Sequence, residues 1–97
     1  MISHVVLFNL KQGIDPNDER VAEVVAGMQA LPAQIDFIRG WEHGFNRTAD
    51  AQAWSYGLRA LFDNEGDLYD YFGHPDHVVV LKQWEEIADL AFCDYEI

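Results

Sequence analysis

The sequence predicts an α+β domain with the element order β-α-β-β-α(α)-β, and three features carry that reading. Stretches of β-branched and aromatic residues alternate with stretches whose apolar residues recur every three to four positions. Their order is that of a split βαβ pair, which closes as a four-stranded antiparallel sheet with its helices on one face. The 97 residues leave room for one domain, covering residues 1–97.

Residues 2–10 (ISHVVLFNL) read as the first strand, closed by Lys11-Gln12-Gly13. Asp15-Pro16 reads as a helix start, with Asp15 as cap and Pro16 in the first turn, where its missing N–H costs nothing. Val21, Val24, Val25, Met28 and Leu31 then form one apolar stripe, and Pro32 is the expected stop. A second strand is expected over 36–46, interrupted by Gly40 and Gly44. A third is expected over 53–62, with Trp54, Tyr56, Leu58, Ala60 and Phe62 on one side. Asn64 caps a short helix, with Asp67 in the capping-box position, and Gly73 ends it. Leu68, Tyr71 and Phe72 are its inward residues. His74-Pro75 opens a helix over 75–88, and residues 90–97 (LAFCDYEI) are the last strand.

Both faces of the outermost segments are apolar. The first strand carries His4, Val6, Phe8 and Leu10 on one side and Val5 and Leu7 on the other. The last strand sets Phe92 against Ala91, Cys93, Tyr95 and Ile97. Helices cover one sheet face only, and large exposed apolar patches usually mark an interface. A homodimer through the face of Val5, Leu7, Ala91, Cys93 and Tyr95 is the simplest closure. An apolar fraction of 49% supports this in a chain that buries only roughly 60–65% of its unfolded surface.

The net charge of −11, with six scattered basic residues, disfavours nucleic acid and anionic membranes as partners. No apolar run approaches the ~20 residues of a membrane span. The lone Cys93 excludes an intrachain disulfide, and the first residues lack the pattern of a signal peptide. A cytoplasmic location is expected.

Four side chains are candidates for chemistry. His77, Leu81, Trp84 and Ala88 share the inward stripe of the third helix, which puts His77 in its first turn. A helix N-terminus and burial both disfavour an added positive charge, so the imidazole is neutral, as a general base at pH 7 must be. The alternative is a histidine that only caps or packs. His4 points to the same side as Val6 and Phe8, and the split βαβ order makes the first and last strands neighbours. Asp94 is then within reach to set the His4 tautomer, or the two form a buried pair that only sets register. Tyr71 adds an inward hydroxyl, or packs. His74-x-x-His77 lacks a third ligand at metal spacing, so no metal is expected. No Ser-His-Asp elbow or phosphate-binding loop is present.

The opening His4-Val5-Val6-Leu7-Phe8, the segment Gly44-Phe45-Asn46, the stretch Tyr71 to Val78 (YFGHPDHV) and the closing Asp94-Tyr95 resemble the Dabb family of stress-responsive dimeric α/β-barrel proteins. The resemblance spans nearly the whole chain. It implies a ferredoxin-like monomer whose sheet packs face to face with that of a second copy. It also implies similarity to a plant polyketide cyclase that closes a linear thioester by aldol reaction without a cofactor. His77 matches its catalytic histidine, Tyr71 its active-site tyrosine, and His4 with Asp94 a pocket histidine and its partner. Tyr56 stands where that cyclase has a third pocket histidine.

Three functions are compatible with these residues. The first is a cofactor-independent cyclase, lyase or isomerase acting on a small apolar carbonyl compound. His77 would be its base, in a pocket of Val6, Phe8, Tyr56, Leu58, Phe72, Leu81, Trp84 and Phe92. The second is a stress-associated or ligand-binding homodimer without turnover, which expects a filled core. The third is a haem-binding barrel with His77 as axial ligand.

Overall fold

Strand β1 (Ile2–Leu10) lies inside the sheet, flanked by β3 (Tyr56–Phe62) and β4 (Ala88–Glu96), with β2 (Gly40–Phe45) outside β3. The computed structural model describes residues 1–97, and every strand pairing in it is antiparallel. Helices α1 (Glu19–Gln34), α2 (Glu65–Gly73) and α3 (Pro75–Ile87) supply the second layer. No helix is long and apolar enough to cross a membrane.

The register sorts the side chains by face. Ile2, His4, Val6 and Phe8 of β1 stand opposite Phe62, Ala60, Leu58 and Tyr56 of β3, and all eight are buried. The α1 stripe of Val21, Val24, Met28 and Leu31 closes over them, together with Leu68, Tyr71, Val80, Trp84 and Ile87. Trp84 stacks on Phe8, with ring centroids 4.0 Å apart. The other face stays uncovered. There Leu7 and Tyr95 are each nearly half exposed, alongside the half-buried Val5 and the exposed Ala91 and Cys93.

Element ends depart from the sequence reading at definable places. Helix α1 starts at Glu19, because Asp18 caps it by accepting from the Arg20 N–H; Asp15 instead holds a turn by accepting from Asn17. Pro32 lies inside α1 and does not stop it. A proline cannot donate to the carbonyl four residues back, here that of Met28. The indole Nε1–H of Trp41 on β2 donates to that carbonyl instead, at 3.0 Å. Strand β2 begins only at Gly40, after a turn in which Ile38 N–H donates to the Ile35 carbonyl. Strand β3 begins at Tyr56, and Trp54 lies outside it. Strand β4 starts two residues early, since Ala88 already pairs with Leu10.

The Trp41 bond yields a stability prediction. Trp41→Phe keeps an aromatic ring but leaves the Met28 carbonyl unpaired, which costs about 1–2 kcal/mol. Thermal unfolding should show it as a drop of roughly 4–8 °C for each kcal/mol in a domain of this size. An unchanged Tm would mean that Pro32 is tolerated for another reason.

Candidate active site

A cavity of about 190 Å³ lies between the sheet and the helices. Its floor is His4, Val6, Phe8 and Leu58, and β4 adds Leu90 and Phe92. Met28 and Leu31 of α1, Tyr71 and Phe72 of α2, and His77, Val80, Leu81 and Trp84 of α3 form the remaining walls. Most of this lining is deeply buried. Phe72, Leu81 and Leu90 are half-buried and Phe92 is exposed, so the opening lies on the β4 side.

The α2–α3 junction places His77. Asn64 caps α2 by accepting from the Asp67 N–H, and the helix runs to Gly73. His74 then caps α3 through Nδ1, which accepts from the Asp76 N–H at 3.2 Å, with Pro75 following in the first turn. His77 lands three residues beyond the cap, on the buried face. Its Nδ1 is 3.1 Å from the Phe72 carbonyl oxygen. A carbonyl only accepts, so Nδ1 carries the hydrogen and Nε2 keeps its lone pair. Burial holds the His77 pKa below its ordinary 6.5, and the nearby His4 and His74 push the same way against the opposing Phe72 bond. The ring is therefore a neutral base at pH 7.

Tyr71 lies beside it, with ring centroids 4.1 Å apart. Burial pushes its phenol pKa far above the ordinary 10, so the O–H stays protonated and able to donate. His4 is Asp94's partner in the β1–β4 register, and His4 Nδ1 lies 2.5 Å from Asp94 Oδ1. The His4 ring sits within 6 Å of Tyr71, Phe72 and Phe92, measured between centroids. The structure thus brings His4, Tyr71, His77 and Asp94 to one end of the domain, three of them on the cavity wall and Asp94 behind His4.

Tyr56 does not join them. It lies beyond the Phe8–Trp84 stack, and its hydroxyl pairs with His43 Nδ1 at 2.5 Å, outside the cavity wall. Tyr56 is the first residue of β3, one inward-facing position beyond the cavity-lining Leu58 and opposite Phe8, so it falls past the end of the cavity. Met28, Leu31, Val80 and Leu90 also line the cavity, although none of them was among the expected pocket residues. Met28 and Leu31 were legible as the α1 stripe, but nothing local says that the stripe faces His77. No cluster of three or more His, Cys, Asp or Glu side chains is placed to hold a metal ion. Trp84 Nε1 is a sealed donor with no partner in the protein.

Comparison with known proteins completes the description. The model of the stress responsive A/B barrel domain, Dabb, matches residues 2–97. An uncharacterised protein of Streptomyces coelicolor is 33% identical over 96 residues, covering 99% of each chain. A dimeric protein of ferredoxin-like fold from Bacteroides fragilis superposes with a TM-score of 0.82 at 34% identity, covering 99% of this chain and 95% of its own. The hydroxynitrile lyase of Passiflora edulis superposes with a TM-score of 0.85 at 15% identity, covering 99% and 92%, a likeness of fold alone. With a ferredoxin-like α+β fold and a family match from the second residue to the last, this chain belongs to the stress-responsive A/B barrel domain family.

Proposed function

We propose that this protein is a cofactor-independent enzyme of lyase, isomerase or cyclase type that moves a proton on a small carbonyl compound, and that it works as a homodimer. The observation that carries the reading is the His77 imidazole, fixed as the Nδ1–H tautomer by the Phe72 carbonyl inside an apolar cavity. Nε2 takes a proton from the carbon next to the carbonyl, and the C–H electron pair moves into the enolate. Tyr71 O–H donates to the oxygen on which negative charge grows. The imidazolium then returns the proton, so the cycle needs no redox partner. His4 and Asp94 hold the polar end of the site in one tautomer and orientation. The naming of a protein of this fold as a hydroxynitrile lyase supports such chemistry on the scaffold, as analogy only.

A cavity beside His77 also weighs against the filled core that a purely structural dimer would have. At about 190 Å³ it has no room for a haem macrocycle, given that about 150 Å³ takes up a benzene.

The dimer reading rests on the uncovered sheet face, where Val5, Leu7, Ala91, Cys93 and Tyr95 lie together. Gly44 and Gly57, paired across β2 and β3, keep that face low beside Leu7. The dimeric description of the Bacteroides fragilis protein supports it. The cavity lies on the opposite side of the sheet from these residues.

The test of the catalytic reading is exchange of α-protons for deuterium, followed by NMR over a panel of small ketones in D₂O. Wild type should exchange at least one ketone well above buffer, and His77→Ala should not. Equal rates for the two proteins would end the assignment.

A further inference from the structure

From the size and charge of the His77 cavity, we infer that its ligand is an uncharged compound of one-ring size bearing a single hydrogen-bonding oxygen. This rests on reading the cavity as the active site and narrows what enters it. The volume is the first constraint. An apolar cavity of about 150 Å³ binds benzene, and this one measures about 190 Å³. It holds a ring with one small substituent and falls below the roughly 300 Å³ at which drug-sized ligands begin to fit. A second fused ring does not fit within its walls.

Charge is the second constraint. No Lys or Arg lines the cavity. His77 is held neutral by burial. His4 already spends Nδ1 on the Asp94 carboxylate, so the nearest fixed charge to the polar end is negative. The whole chain carries −11. A carboxylate or phosphate entering here would lose its hydration and gain no counter-ion. The opening repeats the filter, since Phe72, Leu81, Leu90 and Phe92 offer no polar side chain. A carboxylate or phosphate group is therefore disfavoured inside the cavity. At the polar end, Tyr71 O–H donates to one carbonyl or hydroxyl oxygen, and the His77 Nε2 lone pair faces either the hydroxyl hydrogen or the C–H beside the carbonyl.

Calorimetric titration of the intact protein with three probes tests the inference. Cyclohexanone is uncharged and one ring in size, cyclohexanecarboxylate adds a charge at similar size, and 1-tetralone adds a second ring. Cyclohexanone should bind, the carboxylate should bind about 100-fold more weakly or not at all, and 1-tetralone should fail. Phe92 is exposed, so Phe92→Ala should fold normally, widen the opening and improve binding of 1-tetralone. Carboxylate binding equal to that of cyclohexanone, tighter binding of 1-tetralone by wild type, or binding of none of the three would each overturn it. Binding is scored separately from turnover. Wild type that takes cyclohexanone but exchanges no α-protons bears out the ligand class and defeats the catalytic reading. Exchange confined to charged or two-ring ketones does the reverse.

Discussion

His77→Ala is expected to slow α-proton exchange by about 10²–10⁴, the usual contribution of a positioned general base. The loss should fall on turnover more than on binding, because most of the cavity wall is apolar and remains in place. Wild-type exchange should be flat near pH 7 and above, and should decline only below pH 6.5. The direction follows from the His77 pKa, which burial holds below 6.5, so protonation removes the Nε2 lone pair only in that acid range. Tyr71 stays protonated through the whole range and contributes no alkaline limb below its ordinary value of 10.

The same shift has a stability consequence. The unfolded chain protonates His77 near 6.5, before the folded chain does. Above that pH the group is neutral in both states and neither adds nor removes stability. As pH falls from 6.5 through the lower folded value, the unfolded state binds the extra proton and folding weakens. His77→Gln cannot titrate, so the fall in Tm between pH 8 and pH 5 should shrink. Part of it should persist, because burial also holds His43 below its ordinary value. An identical fall in both proteins would show that His77 is not buried as described.

Leu7→Asp should convert the proposed dimer to a single-copy species at micromolar concentration, as read by sedimentation. Leu7 is 46% exposed in the isolated chain and projects from the middle of the uncovered face, directly opposite Ala91 in the register. In a twofold pairing each copy would bury a carboxylate against apolar neighbours, and the one cation nearby on that face, Arg59, is already engaged by Glu42 and Ser3; such burial costs several kcal/mol per ion. The substitution costs the monomer little, because the residue is near solvent there. His77-dependent exchange should survive if each protomer's cavity works alone. A variant that sediments like wild type would remove this face as the contact surface.

Much of the fold was legible from local signals, and the misreadings have physical causes. The alternation in β3 and the Asn64 and His74 caps depend on neighbours within a few residues. Pro32 was misread because its cost is relieved by Trp41, nine positions away in sequence, and no local pattern reports such a bond. Asp15 and Asp18 both had the side chain of a helix cap. The choice between them fell to Asp18, from which the apolar stripe of α1 begins to face the sheet.

By itself the sequence determined the element order, how the side chains of the first, third and last strands divide between two faces, and the residue types available for chemistry, since these follow from two- and 3.6-residue periods. It also placed Asp94 near His4, because the order of a split βαβ pair makes β1 and β4 neighbours. Only the tertiary structure decided that Tyr56 turns to His43, that Phe72 sets the His77 tautomer, and that a void of about 190 Å³ remains beside it. Those outcomes depend on how three helices settle over one sheet. Packing at crystal-like density leaves or removes a cavity by shifts smaller than a side chain, which no pattern along the chain encodes.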